Sequence, residues 1–316
     1  MLSFGVESLI DMAPWHYSTM DQQLIRCTKA RCFGTSTIDT VHTRVRLRSN
    51  PTRAFFPHVN DVTHDNPNYS LQPRYWVSSH KTNEALGDNA QRDWFFAWRD
   101  VGPTERTLVG TVIPKTAAGN TAFLMMSDEE PPLVAALVGL LSSLVLDYDA
   151  RQKGARMNFF LVEQLATLRP AELREHRPWL GESASDWLAS RVFELCFTNW
   201  ELVSWARAMG ANSPPFRWQP ERRRALQGEI DAAVLHLFRL NRRQAEWLLD
   251  SFTVLRKYEE REVGDYRTKT IVLEIYDRMS EAIAAGVSYR THLDLRRRPA
   301  SRGKANRVIL AVSPLS

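Results

Sequence analysis

The sequence predicts an α+β protein: a small mixed or antiparallel sheet module with a core helix, followed by a mainly α-helical region. Three observations carry that expectation. Two short apolar runs, Thr107–Ile113 and Thr121–Met126, suit strands and are separated by the loop-forming Ala117-Ala118-Gly119-Asn120. The run Leu133–Leu146 is apolar on nearly every face, as a helix packed on a sheet must be, and Pro131 and Pro132 stand where a helix start tolerates them. Beyond Pro170 the apolar residues recur at helical spacing instead.

Taken in order, residues 1–72 form an irregular N-terminal segment with one short strand. Val41, Thr43, Val45 and Leu47 alternate with His42, Arg44 and Arg46, the pattern of a half-buried strand, and residues 50–73 are a loop rich in Pro, Asn and Asp. Pro73-Arg74-Tyr75-Trp76-Val77 enters a second unit, 73–170. Within it Trp94, Phe95, Phe96 and Trp98 read as core or sheet-face packing rather than stacking platforms, and Glu105-Arg106 and Pro114 bound the Thr107–Ile113 strand. Leu133–Leu146 falls short of the roughly 20 residues a membrane span needs, so no membrane is expected as a partner.

The third unit, 171–286, is helical. One helix is expected over Asp186–Met209, with Gly210 as its stop, and Pro220 opens another through Leu240 with Leu226, Ile230, Val234, Leu237 and Phe238 on one stripe. Asn241 caps a third, containing Ala245, Trp247 and Leu248, and a fourth covers Thr270–Ala285 before Gly286. Residues 287–316 form a basic arm: the segment from Gly286 carries +6, which leaves −1 for the rest of a chain whose net charge is +5.

Hydrophobic content of 44% and charged content of 24% are ordinary for a globular protein of 316 residues. Three cysteines, Cys27, Cys32 and Cys196, are an odd number without a metal-binding second pair, so the chain reads as cytoplasmic and metal-free; His16, His42, His58 and His64 supply no ligand spacing. Met1 is followed by Leu2-Ser3-Phe4 and Glu7, not by a basic segment and a long apolar core, so no signal peptide is expected.

Arg92, Arg99, Arg106, Arg151, Lys153 and Arg156 stand at the edges of the apolar elements, where a cation reaches phosphates or the acceptor edge of guanine. The alternative is that Arg92 with Asp93, and Arg99 with Asp100, are local ion pairs that orient loops. Asn158 offers an amide to adenine, or satisfies backbone groups as loop asparagines do. Arg296-Arg297-Arg298, followed by Pro299, Ser301 and Gly303, suits a flexible arm that displaces counterions from a phosphate backbone, or a solvated tail.

Four pieces in succession carry a resemblance: Arg92-Asp93-Trp94-Phe95-Phe96-Ala97-Trp98-Arg99-Asp100, then Glu105-Arg106-Thr107-Leu108-Val109-Gly110-Thr111-Val112-Ile113-Pro114, then Asp147-Tyr148-Asp149-Ala150-Arg151-Gln152-Lys153, then Met157-Asn158-Phe159-Phe160-Leu161-Val162-Glu163-Gln164-Leu165. Together they resemble the target-recognition region of type II-G restriction–modification and phage-defence adenine-specific (N6) DNA methylases. Tyr75-Trp76 before them, and Pro214-Pro215-Phe216-Arg217-Trp218 and Tyr266-Arg267-Thr268-Lys269 after them, extend the resemblance over about residues 73–285. It implies double-stranded DNA as partner, with the cations above and Asn158 as contacts. In that family a methyltransferase domain precedes the recognition region. The resemblance therefore implies a truncated gene product, a split subunit or an expressed fragment, with S-adenosylmethionine held by a methyltransferase domain in trans and no cofactor here.

Ser213-Pro214-Pro215-Phe216 matches the catalytic tetrapeptide of adenine-N6 methyltransferases, whose aromatic residue stacks on a flipped base. Here it follows a helix stop and precedes a helix, and no glycine-rich strand–loop–helix stands upstream, so it reads as a structural turn. No catalytic residue is expected in the chain. Two other readings stand beside DNA recognition: a non-catalytic scaffold in a phage-defence complex, and an inactive remnant.

Overall fold

Alternation along Trp94–Arg99 sets the architecture of the sheet. Phe96 and Trp98 enter a large core on one face, while Phe95 and Ala97 enter a smaller core with Leu86, Ile113, Leu124 and Met126 on the other, as the two-residue repeat of an extended strand requires. The structure is a computed structural model that describes residues 24–28, 60–69, 75–102, 105–119, 122–291 and 293. The strand expected over residues 41–47, Cys32, His16, His42, His58 and the Arg296-Arg297-Arg298 cluster lie outside the described residues.

The elements run β1 (Leu24–Thr28), α1 (Asp61–His64), β2 (Tyr75–Ser78), α2 (Ser79–Leu86), a 3-10 turn (Gly87–Gln91), β3 (Trp94–Arg99), β4 (Gly110–Pro114), β5 (Ala117–Ala118) and β6 (Ala122–Met125). Helices then dominate: α3 (Pro131–Leu141), α4 (Leu144–Lys153), α5 (Phe159–Val162) and α6 (Pro170–Arg174), a two-residue hairpin β7 (His176–Arg177) and β8 (Glu182–Ser183), then α7 (Ala184–Cys196), α8 (Val203–Ala208), α9 (Pro220–Leu237), α10 (Arg242–Asp250), α11 (Thr253–Val263) and α12 (Arg267–Ala285). The fold is α+β with a helical C-terminal region, as expected. β4-β3-β6 is antiparallel, with Phe96 opposite Val112 and Met125; β2-β1-β5 is mixed, β1 running antiparallel to β2 and parallel to β5.

Three expected elements are corrected. The apolar run Leu133–Leu146 is two helices bent by 63°, because Ser143 leaves the helical path and its hydroxyl accepts from the Leu146 N–H as the cap of α4. The strand expected from Thr107 begins only at Gly110, since the N–H groups of Thr107 and Leu108 donate to Asp147 at 2.7 Å each instead of to a neighbouring strand. The single helix expected over Asp186–Met209 breaks at Phe197, whose carbonyl accepts from the Phe216 N–H, and resumes as a 3-10 turn and α8 before Gly210, in the left-handed region at φ 75°. α11 has no counterpart in the sequence reading.

Nine of the eleven residues of α3 are buried. The helix sits between β4 on one side and α7 and α9 on the other, so no face of it is left for polar residues. The large core is continuous from Phe96 to Tyr289 and includes Trp98, Leu137, Leu188, Trp205, Ile230 and Met279. It therefore crosses position 170, where the sequence suggests a boundary, and each fully buried large side chain in it contributes roughly 1.5–3 kcal/mol. Inside the helical part, Glu229 is buried and accepts from Arg191 Nε at 2.8 Å and from the Tyr289 hydroxyl at 3.0 Å.

The expected loop before residue 73 is tied down where it is described. Asp65 pairs with Arg217 and accepts from the Trp218 N–H at 2.9 Å, while His64 stacks on Trp218 with ring centres 4.3 Å apart. The Arg217 hydrogen bond holds the Asp65 carboxyl below its usual range against the opposing effect of burial. Among the described residues no single helix is long and apolar enough to cross a membrane.

Candidate nucleic-acid interface

Two carboxylates bring the four sequence motifs together. Asp147, fully buried in α4, accepts from Thr107 N and Leu108 N and pairs with Arg106 at 3.6 Å and Arg151 at 3.3 Å. Asp100, just after β3, accepts from Arg156 Nη2 at 2.7 Å, and its carbonyl accepts from Met157 N, also at 2.7 Å. Trp98 Nε1 donates to the Met157 carbonyl at 2.7 Å, and the Trp98 ring meets Phe159 edge-on at 5.1 Å. Residues up to 59 positions apart thus form one packed cluster.

That cluster reassigns most of the predicted contacts. Arg106 keeps 13% of its side chain exposed and donates to the Ser142 carbonyl at 2.5 Å, so it faces inward. Arg151 donates to the Glu105 carbonyl at 3.2 Å and lies 4.2 Å over the Phe252 ring. Both guanidinium groups are needed where they are, because a buried carboxylate is tolerated only when charge and hydrogen bonds compensate it. Arg106 is largely withdrawn from solvent, while Arg151 keeps 31% of its side chain exposed. Asn158 is the cap of α5, its carbonyl oxygen accepting from Leu161 N at 3.1 Å, so its side chain satisfies a backbone group as the alternative reading has it.

Arg92 donates to Asn89 at 2.8 Å, to the Ser127 carbonyl at 2.7 Å and to Asp128 at 2.5 Å, fastening the 3-10 turn to the loop after β6. Its carboxylate partner there is Asp128, 36 residues away, not the adjacent Asp93. Lys153 pairs with Asp149 at 3.5 Å within α4. Arg99 closes β3 opposite Ala122. Arg156 stands apart: its pair with Asp100 leaves 75% of the side chain in solvent.

The sequence reading missed the residue beside it. Phe160 is 70% exposed, while its neighbour Phe159 packs against Trp98 and Phe123. Adjacent positions on a helix point about 100° apart, so one of two consecutive aromatics in a short surface helix must face out. Val101, next to Asp100, is also exposed. Arg156 is tied to Asp100 by its ion pair and Val101 follows Asp100 in the chain, while Phe160 sits on the short helix that begins three residues after Arg156.

A second buried carboxylate adjoins the Asp147 cluster. Asp231 of α9 accepts from Leu144 N at 2.7 Å and is almost without solvent contact. Burial pushes its carboxyl up to about 6, with Arg106 drawing it down and Asp147 raising it further. The folded state holds this proton more tightly than the unfolded chain, whose aspartates titrate near 4. The associated stability is thus present below about pH 4 and lost as the pH rises through about 6, an amount of about 2–3 kcal/mol. Asp231→Asn is expected to remove that loss: in urea unfolding, the variant gains on the parent protein between pH 4 and pH 7.5. An unchanged difference between the two proteins across that range would place the titration elsewhere.

Ser213-Pro214-Pro215-Phe216 is a turn between α8 and α9. The Phe216 ring packs against Phe193, edge-on at 5.6 Å, and its N–H donates to Phe197. It is part of the core packing rather than presented to a base. Cys196 is buried next to Thr111, and burial pushes its thiol up, away from the reactive thiolate. Comparison with family models, curated proteins and solved structures returned no match.

Proposed function

We propose that this chain is the DNA sequence-recognition part of an adenine-specific methylase of a restriction–modification or phage-defence system. Methyl transfer from S-adenosylmethionine then belongs to a methyltransferase domain outside it. The observation that carries the proposal is that the four motifs meet in pairs, the second with the third through Asp147 and the first with the fourth through Asp100 and Trp98: the likeness falls on residues that build one another's surroundings. The same residues, being occupied internally, act as the frame and not as the readers. Reading falls to what the frame holds outward. Arg156 offers a guanidinium to a phosphate or to guanine, and Phe160 an apolar wedge or stacking face of the kind that enters between base steps.

Duplex affinity is then expected to fall steeply with salt, with a slope of log K against log salt of about −0.9 for each phosphate neutralised. Arg156→Gln combined with Phe160→Ala keeps a hydrogen bond to Asp100, and is expected to weaken duplex binding about tenfold or more. Fluorescence anisotropy at 50 and 200 mM salt checks both. Binding that ignores salt, or that is the same in the double variant, would sink the proposal. The scaffold reading draws on a different observation, an apolar groove between α4 and α10.

A further inference from the structure

We propose that the groove between α4 and α10 docks a segment of a partner protein that carries apolar anchor residues flanked by carboxylates. The cavity measures about 330 Å³, at the small end of sites that take ligands. Its walls are Val145, Leu146, Tyr148, Phe238, Leu240 and Trp247. Trp247 is 62% exposed although α10 buries Ala245, Leu248 and Leu249 on its inner face. It meets Tyr148 edge-on at 5.6 Å, which fixes the indole as one wall of the groove. Exposed tryptophan beside an apolar cavity is the composition of an interface hot spot.

The carboxylate and the amide oxygen in the lining are already used. Asp149 accepts from Ala166 N at 3.0 Å and pairs with Lys153. Gln244 closes the capping box of α10, accepting from Asn241 N at 2.9 Å. The rest of the lining is predominantly apolar, so the occupant that fits is an aliphatic or aromatic side chain.

The rim supplies the charge. Arg239 stands between Phe238 and Leu240 of the lining, and Arg243 is one turn before Trp247 on α10. Both are exposed, and neither makes an ion pair among the described residues, whereas Arg242 between them is held by Asp277 at 2.7 Å and Glu246 at 3.5 Å. Arg239 also adopts a left-handed backbone, φ 56°, at the position after α9 where glycine is favoured. That placement costs roughly 1 kcal/mol, and strain of this kind marks sites where a side chain is kept for use. Two exposed cations without an ion pair among the described residues, beside an apolar slot, complement an amphipathic segment with acidic flanks, in the manner of helix-in-groove recognition. The inference does not depend on the DNA reading.

The test uses the full chain and three labelled probes: a synthetic helical peptide with leucines at i, i+3, i+4 and i+7 flanked by glutamates, the same peptide flanked by lysines, and oligothymidylate. By anisotropy, the glutamate peptide is expected to bind at least tenfold more tightly than the lysine peptide. Trp247→Ser is expected to weaken it at least tenfold. The pair Arg239→Gly and Arg243→Ser is expected to abolish the discrimination between peptides, while the relieved backbone keeps that variant folded with an unchanged or higher melting temperature. No binding of the glutamate peptide, binding indifferent to these substitutions, or displacement of the peptide by oligothymidylate would each overturn the proposal; the last would assign the groove to nucleic acid.

Discussion

Asp147→Ala is expected to destabilise the folded chain by about 3–5 kcal/mol in urea unfolding, the range for removing one partner of a buried ion pair. The side chain is wholly buried and serves four partners: two backbone N–H groups at 2.7 Å, Arg106 at 3.6 Å and Arg151 at 3.3 Å. Alanine leaves Arg106 inside the protein without its salt-bridge partner, with Asp231 as the remaining nearby carboxyl. It also leaves the N–H groups of Thr107 and Leu108 without acceptors, each such loss costing about 1–3 kcal/mol. Asp147→Asn keeps an oxygen for the two N–H groups and loses only the charge, so its loss is expected to be the smaller of the two. A further readout follows from the neighbour: Asp147 raises the Asp231 carboxyl, so in either variant the stability lost with rising pH shifts to lower pH. An alanine variant within 1 kcal/mol of the parent protein would show that the four motifs do not depend on this carboxylate.

Glu229→Ala is expected to have a comparable effect in the helical part. Glu229 is 2% exposed and receives Arg191, whose guanidinium lies 3.3 Å over the Trp187 ring, together with the Tyr289 hydroxyl. Burial raises the Tyr289 hydroxyl well out of its usual range, with Glu229 adding to the effect, so it remains a donor to the carboxylate at any ordinary pH. Burial also draws the Arg191 guanidinium down while Glu229, and less strongly Glu182, pull it back; without Glu229 the largest opposing contribution is lost. The expected loss of about 3–5 kcal/mol corresponds to a fall of roughly 10 °C in melting temperature for a body of this size. Glu229→Gln retains an acceptor for Tyr289 and is expected to fall between alanine and the parent protein. A melting temperature unchanged in Glu229→Ala would refute the role of this charge in joining α7, α9 and the residues after α12.

What the sequence disclosed, and what it withheld, follows from how each residue is used. The apolar run Trp94–Trp98 and the unbroken apolarity of α3 are one-dimensional signals of burial, and both were legible as core packing, although the sequence did not delimit the strand β3. So were Asn241 and Gly286, because caps act on their own helix ends. The break at Ser142-Ser143 was less visible, since serine interrupts an apolar helix only when its hydroxyl finds the next turn, as Ser143 does. Arg106 and Arg151 looked like surface cations because their carboxylate lies about 40 residues away for one and a single turn away for the other. An arginine facing Asp147 and one facing a phosphate have the same letter and the same flanking residues. Asn158 shows the same ambiguity, settled only by the geometry of the helix it starts. The exposure of Phe160 depended on knowing which of two consecutive phenylalanines fills the space beside Trp98.

The unbroken core beneath the sheet constrains how this protein can be recombined. A truncation after Pro170 would strip α7 and α9 from α3 and leave buried positions of that helix facing water, so the remaining part would be prone to aggregate. Recombination that keeps this interior intact exchanges outward residues such as Val101, Arg156 and Phe160, and does not cut and join whole segments.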